Sequence, residues 1–99
     1  MKLIQGVTVN QLRQIFDERG KVMHMLRNDD NIFGSFGEIY FSSTNPNAIK
    51  AWHLHKKMTL NYCCVFGSLK LVLYDARVDS STCGKIMEII ISPENYLLV

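Results

Sequence analysis

The segment from residue 50 to 57, which reads KAWHLHKK, holds the densest group of side chains that could carry out chemistry. On a β-strand, His53 and His55 point to the same face, because side chains alternate with period two, and they lie roughly 7 Å apart. Such a pair can bind a metal ion, or supply a general base with a positioning partner. The neighbouring lysines would attract an anionic substrate. A solvent-facing strand without a function is the alternative for an isolated HxH pattern.

A metal site needs three or four ligands, and the sequence around the two histidines does not supply them. The HxH pair resembles the first half of the metal-binding cupin pattern, in which an acidic ligand follows about four or five residues later. This chain has Thr59 and Leu60 at those positions. The third histidine, His24, is far upstream. The chain also lacks a CxxC motif, a glycine-rich phosphate loop and a serine nucleophile elbow. We therefore expect neither a bound metal nor a cofactor.

Cysteine content and charge limit the compartment and the partners. The three cysteines, two of them adjacent, make a poor disulfide framework and favour a reducing, cytoplasmic location. The N-terminus lacks the apolar stretch of a secretory signal, and no run approaches the roughly 20 apolar residues of a membrane span. A net charge of +2 is too small to predict nucleic-acid binding. We expect no membrane or nucleic-acid partner.

Short strand-like runs dominate the chain, separated by turn signals such as Pro46, Gly67-Ser68 and Pro93. Helical spacing is limited to a possible turn within residues 8–16. The Gly67-Ser68 pair predicts a hairpin between its two flanking runs. The pattern predicts an all-β sandwich or barrel. The runs cover residues 3–9, 21–26, 37–41, 49–55, 61–66, 69–74, 85–92 and 96–99.

The last run ends the sequence in the middle of a strand-like pattern. An apolar strand at the end of a domain exposes its edge unless something pairs with it. We expect either a truncated chain or a second subunit that covers residues 89–91 and 96–99. Pairing of two copies around a two-fold axis is the simplest form of the second case, so we expect a homodimer.

Three segments resemble the dTDP-4-dehydrorhamnose 3,5-epimerase family of cupins. They are IKAWHLH at 49–55, VFG at 65–67 and VLYDAR at 72–77. In that family an Arg-Gly-x-His strand precedes a glycine hairpin that ends in Asp-x-Arg. DERG at 17–20 and SPENY at 92–96 match further family segments, and HLHKK is also similar to sugar-nucleotide 3,4-ketoisomerases. The resemblance implies one cupin-like jelly-roll domain over residues 1–99, incomplete at its C-terminal end.

The resemblance implies an isomerase or epimerase of nucleotide-sugar metabolism. His53 matches the base that removes a proton next to the keto group of a dTDP-4-keto-hexose. His55 matches the second histidine of the ketoisomerases, a position that is glutamine in the epimerases. Lys50 takes the place of an arginine that holds the sugar nucleotide.

Other family positions concern substrate binding. Arg19 matches a residue that reaches the nucleotide of the neighbouring subunit, and Asp75 and Arg77 match the charged pair after the glycine hairpin. The expected partner is therefore a dTDP-sugar.

The chain also departs from the family pattern. A lysine that stabilises the enolate is replaced by Leu60, and Arg-Gly before the histidine has become Lys50-Ala51. The family's tyrosine acid and the aspartate that orients the histidine lie beyond residue 99, which leaves Tyr40 as the local candidate acid. The alternative is a non-catalytic, truncated cupin that binds a sugar nucleotide weakly or serves as an assembly module.

Overall fold

A computed structural model describes residues 3–99; Met1 and Lys2, with which the predicted domain begins, lie outside the described residues. The chain forms two compact units, one of residues 3–25 with 60–99 and the other of residues 26–59. Residues 3–99 contain antiparallel strands and no helix, so the all-β prediction is confirmed. The strands, all in the first unit, are β1 (Asn10–Gln11), β2 (Gln14–Asp17), β3 (Gly20–Met23), β4 (Leu69–Tyr74), β5 (Ile86–Ile91) and β6 (Leu97–Leu98).

The hairpin of β4 and β5 supplies most of the core. The two strands pair over six residues, from Leu69 opposite Ile91 to Tyr74 opposite Ile86. Burial alternates along both strands, because successive side chains point to opposite faces, so one face of this hairpin lies inside. Residues from the N-terminal segment and from 97–99 pack against that inner face. The buried centre consists of Ile4, Met87, Ile89 and Ile91.

The C-terminal strand is covered by its own chain. β6 pairs antiparallel with β1, and on the other side Val99 exchanges two backbone hydrogen bonds with Tyr62 at 2.9 and 3.0 Å. Tyr96 and Leu98 are buried, with 4% and 2% of their surfaces exposed. The expectation that residues 89–91 and 96–99 leave an uncovered apolar edge is therefore wrong, except at Ile90, which stays exposed.

Three local predictions in the first unit are also wrong. The Gly67-Ser68 hairpin does not form, because β4 pairs with β5 in a register that buries three β5 side chains. The predicted strand at 3–9 and helical turn at 8–16 are replaced by β1 and β2. β2 turns into β3 through the two residues Glu18 and Arg19. Gly20 follows with a φ of 146°, where an L side chain would be strained.

The second unit consists of turns and extended chain. Arg27 donates its backbone amide to the Asp30 carboxylate at 2.7 Å and its guanidinium to Asp29. A second turn, at residues 45–48, has Asn47 at a φ of 65°. The strands predicted at 37–41 and 49–55 do not form. Among residues 3–99 no segment offers either run the backbone partners that a strand needs.

Candidate functional site

Four of the residues singled out by the sequence lie in the second unit, and all four are exposed: Tyr40, Lys50, His53 and His55. Trp52 and Leu54, which alternate with the two histidines, are 67% and 76% exposed and are not buried in a sheet contact. Without a strand at 49–55, the period-two argument does not fix which way the two imidazoles face.

Lys50 is the one member of this group with described hydrogen bonds. Its ammonium donates to the Ser42 hydroxyl at 3.0 Å and to the Ser43 carbonyl. Both acceptors are uncharged, so these bonds position the ammonium without pairing it with a carboxylate. A positioned, exposed cation three residues before His53 is suited to a phosphate or another anionic group.

Arg19 lies in the turn between β2 and β3, with 83% of its side chain exposed. Its guanidinium and its backbone amide donate to the Asp17 carboxylate at 2.8 Å, and this pairing lowers the pKa of Asp17. A shallow depression of about 280 Å³ lies beside this turn. Ile15 and Val22 supply its apolar lining, and the paired Asp17 and Arg19 and the nearby Lys21 supply its charged lining.

An additional arginine–histidine pair, not predicted from the sequence, extends the same hairpin. The Arg13 guanidinium lies 3.3 Å from His24 Nε2, and the His24 amide donates to the Arg13 carbonyl at 3.0 Å. The register places these two residues on the face that carries Ile15 and Val22. Because Arg13 and His24 are eleven positions apart, the sequence gives no sign that they meet.

Asp75, predicted to bind substrate, is the centre of an internal network. It is 3% exposed, and its carboxylate accepts bonds from the Arg77 guanidinium at 2.8 and 2.9 Å and from the Ser80 and Thr82 hydroxyls. The Arg77 guanidinium, followed by the two hydroxyls, holds the pKa of Asp75 well below its ordinary value. The carboxylate is therefore committed to holding the loop between β4 and β5.

The same loop is tied to the N-terminal segment through Gln5. Arg77 donates to the Gln5 carbonyl at 2.6 Å, and the Gln5 side-chain oxygen accepts from the Ser81 amide at 2.8 Å. The backbone amide of Gln5 donates to the Thr82 hydroxyl at 2.9 Å. We call this network of Gln5, Asp75, Arg77, Ser80, Ser81 and Thr82 the loop clamp. Its polar groups link residues distant in sequence.

We expect Asp75→Asn to lower the free energy of unfolding at neutral pH. The variant should also lose less of this free energy than the natural chain as the pH is lowered. A carboxyl whose pKa is lowered by folding stabilises fully above the unfolded pKa of about 4, and this contribution is lost as the pH falls below it. Urea unfolding between neutral pH and about pH 3 measures both effects. Asp79→Asn, an exposed position on the same loop, is the matched control. If both variants behave alike, the loop clamp does not stabilise the fold.

Cys63 and Tyr96 form a second polar feature of the first unit. Burial is the main cause that raises the pKa of the Cys63 thiol and raises the pKa of Tyr96 to about 12. The Tyr96 hydroxyl lies beside that thiol, and a thiol is only a weak hydrogen-bond partner. Among residues 3–99 the hydroxyl has no well-oriented hydrogen-bond partner. A thiol with a raised pKa carries little thiolate at neutral pH and is a poor nucleophile.

Neither a cluster of metal ligands nor a membrane-spanning helix is found among the described residues. Within residues 3–99, no three side chains of histidine, cysteine, aspartate or glutamate come together as a set of metal ligands. In the same part of the chain, a helix with the length and apolarity needed to cross a bilayer is absent.

Sequence comparison finds two curated relatives, whereas no protein-family profile matches the chain. The "Spore coat polysaccharide biosynthesis protein SpsL" of Bacillus subtilis (strain 168) is 34% identical over 97 residues, which cover 98% of this chain and 64% of that protein. The "Probable low-salt glycan biosynthesis epimerase Agl13" of Haloferax volcanii is 30% identical over 101 residues, which cover all of this chain and 65% of that protein.

Among solved structures, a dTDP sugar isomerase from Desulfovibrio desulfuricans G20 is 36% identical and superposes with a TM-score of 0.81. The match covers 96% of this chain and 61% of the isomerase, so the chain spans a little under two thirds of the length of its relatives. This superposition shows that the chain shares the all-β fold of that enzyme. The printed names of the isomerase and of the Haloferax volcanii protein are those of a sugar isomerase and an epimerase, the kinds of enzyme that the sequence motifs resemble.

Proposed function

We propose that this protein is a sugar-nucleotide isomerase or epimerase that acts on a dTDP-4-keto-hexose. The observation that carries the proposal is the shared fold and sequence with a dTDP sugar isomerase over nearly the whole chain. The named activities of both the isomerase and the archaeal relative are consistent with it. The precise sugar and the direction of the reaction go beyond those names and belong to the proposal.

His53 is the proposed general base. The hydrogen on a carbon next to a 4-keto group is acidified by the carbonyl, because the electrons left behind delocalise onto the carbonyl oxygen as an enolate. Histidine is the residue that most often removes such a proton in enzymes, and a positioned base typically contributes 10²- to 10⁴-fold in rate. His53 is exposed and thus open to a substrate.

Binding and protonation are assigned to neighbouring groups. Lys50, held by Ser42 and Ser43, would attract the diphosphate without being neutralised by a carboxylate. Tyr40 is the proposed acid that returns a proton to the sugar, and His55 assists as in the ketoisomerases.

The nucleotide end of the substrate is assigned to the hairpin of β2 and β3 in a second copy of the chain. Arg19 is exposed there beside the apolar pair Ile15 and Val22, so its guanidinium, which also pairs with Asp17, lies next to a surface for a ring. Asp75 and Arg77 support binding indirectly in this proposal, because the loop clamp commits the Asp75 carboxylate.

Solvent deuterium exchange tests the reaction. A dTDP-4-keto-6-deoxyhexose incubated with the protein in deuterium oxide should take up deuterium at carbon 3 or carbon 5 of the sugar, as read by proton NMR. Exchange at one carbon only would favour a ketoisomerase-like reaction or a single epimerisation, and exchange at both a 3,5-epimerisation. Absence of exchange with a range of keto-sugars would contradict the catalytic proposal.

The second candidate is a non-catalytic module that binds a sugar nucleotide, and one feature of the site favours it. Leu60 stands where the epimerases carry the lysine that stabilises the enolate, so one source of rate enhancement is missing. Calorimetry with dTDP-sugars and UDP-sugars separates the two functions. Saturable binding without deuterium exchange would support the module, and exchange would support the enzyme.

A further inference from the structure

Arg13 differs from the other arginines of the chain in having no carboxylate partner. The three others each pair with an aspartate at 2.8 Å: Arg19 with Asp17, Arg27 with Asp29 and Arg77 with Asp75. Within residues 3–99, no carboxylate forms an ion pair with Arg13, and its guanidinium contacts the ring of His24 instead. Because Arg13 is exposed, its guanidinium is open to an anion from solution.

The contact between Arg13 and His24 requires the neutral form of the imidazole. A guanidinium nitrogen can donate a hydrogen bond but cannot accept one. His24 Nε2 lies 3.3 Å from Arg13 Nη2, so Nε2 must be the acceptor, and the ring hydrogen is then on Nδ1. A second proton on the ring would occupy Nε2 and place two cations face to face. The observed bond is therefore incompatible with a charged His24.

An anion bound at this arginine–histidine pair would reverse the arrangement. A phosphate oxygen accepts hydrogen bonds, so it can replace Nε2 as the acceptor for Arg13. The freed imidazole can then take up a proton from the buffer and donate Nε2–H to the same phosphate, because histidine changes its charge between about pH 5 and 8. The negative charge of the phosphate offsets the repulsion between the two cations.

The neighbouring side chains on this face indicate what the rest of the ligand is. The next pair along the two strands is Ile15 opposite Val22, and these side chains are 45% and 56% exposed. They lie roughly 7 Å from the arginine–histidine pair, since alternate residues are two strand rises apart. A nucleotide has a matching order of groups, with a flat ring and a phosphate on either side of one sugar.

The other charged groups of the hairpin do not neutralise the arginine–histidine pair. Asp17 is roughly 13 Å away along the same face, and its carboxylate is engaged by Arg19. Glu18 follows it in the turn. The Lys21 ammonium lies over the Phe16 ring, 5.4 Å from its centroid. Among residues 3–99 no hydrogen bond or ion pair joins either member of the pair to a carboxylate.

We propose that Arg13 and His24 form a phosphate-binding site in which binding adds one proton to His24. The ligand is the phosphate of a nucleotide whose ring lies on Ile15 and Val22. Naming a sugar nucleotide as that ligand rests on the proposed function, whereas the proton uptake does not require that the protein be an enzyme. Since the charged imidazole binds the phosphate, affinity is high at acidic pH and falls as the pH rises and His24 loses its proton.

Calorimetric titration with dTDP-glucose tests the site. Both of its phosphates are esterified, so the ligand itself takes up no proton between pH 6 and 8, and without a keto group its sugar cannot undergo the proposed reaction. The affinity should fall by about tenfold between pH 6 and pH 8. Titrations at pH 7 in two buffers with different heats of ionisation should show that binding takes up protons. Thymidine, which has the ring without a phosphate, should show no uptake.

Two substitutions of His24 imitate the neutral and the charged ring. His24→Gln can accept a hydrogen bond from Arg13 but never gains a charge, so it should bind dTDP-glucose at pH 6 as weakly as the natural chain does at pH 8. His24→Lys is charged throughout this range, so its affinity at pH 8 should approach that of the natural chain at pH 6. Both variants should lose the proton uptake, a result that a merely structural role of His24 does not predict.

Substitution of the arginine completes the test. Arg13→Gln should weaken binding at pH 6 by about three- to tenfold, because a charge-assisted hydrogen bond is lost. Arg27→Gln, which removes an exposed arginine of the second unit, is the matched control and should keep the natural affinity. Circular dichroism checks that each variant is folded.

The outcomes also separate this site from the proposed reaction. A natural chain that does not bind dTDP-glucose, that binds it equally at pH 6 and pH 8, or whose pH dependence persists unchanged in either His24 variant would overturn the proposal. Deuterium exchange into a keto-sugar without proton uptake at His24 would leave the enzyme and remove the site. Uptake at His24 without deuterium exchange would keep the site and remove the catalytic proposal.

Discussion

Replacing Ile91 with alanine is expected to lower the free energy of unfolding by about 2 to 5 kcal/mol. Ile91 is fully buried at the end of β5, within the core cluster that also contains Ile4, Met87 and Ile89. The loss combines the transfer of the removed methyl groups with the cavity that incomplete relaxation leaves behind. Since small domains are stabilised by about 5 to 15 kcal/mol in total, this one change removes a large share. Chemical denaturation at neutral pH measures it.

Ile49→Ala is the matched control, because it deletes the same atoms from a side chain that is 89% exposed. Its effect on the free energy of unfolding should stay within about 0.5 kcal/mol. Similar losses in both variants would mean that Ile91 does not lie in the main core, or that Ile49 is covered in solution.

The two strands of the central hairpin were predictable from the sequence as short apolar runs. Residues 69–74 and 86–91 each hold five apolar residues out of six, and the structure forms β4 and β5 over nearly the predicted ranges. A short apolar run between turn signals is a local property of the sequence that is typical of a buried strand. This explains why the all-β class could be predicted.

Pairing between strands could not be predicted in the same way. The Gly67-Ser68 signal indicates a local turn, but β4 finds its partner twelve residues further on, across the loop clamp. Residue 62 instead pairs with Val99. Which strands pair depends on how much apolar side-chain surface the pairing buries, and the turn propensity of a dipeptide does not report this.

The site was predictable in composition but not in geometry. The Asp-x-Arg pattern at 75–77 predicts a charged pair, and the pair exists at 2.8 Å, yet the sequence does not reveal that Gln5 completes it. The alternating pattern at 49–55 resembles a strand. It remains extended without pairing because a strand needs a neighbour as well as a pattern.

The roles of the two histidines at 53 and 55 can be separated by substitution. His53→Asn should reduce deuterium uptake into the keto-sugar by about 10² to 10⁴-fold, because asparagine cannot accept the proton that the proposed base removes. His55→Gln should cost much less if the reaction is that of the 3,5-epimerases, which carry glutamine at this position. Both positions are exposed, so neither substitution should disturb folding, and equal melting temperatures are the check.

Comparing the two variants also distinguishes the two candidate reactions. A large loss in both would assign a chemical role to His55 and favour a ketoisomerase-like reaction, in which the second histidine takes part. A large loss in His53→Asn alone would favour epimerisation with His53 as the base. Unchanged uptake in His53→Asn would place the base elsewhere, because one positioned imidazole cannot be removed from the chemical step without a rate penalty. Nucleotide-sugar affinity measured by calorimetry should stay close to that of the natural chain in His53→Asn, since a base that acts on the sugar ring contributes to the transition state more than to ground-state binding.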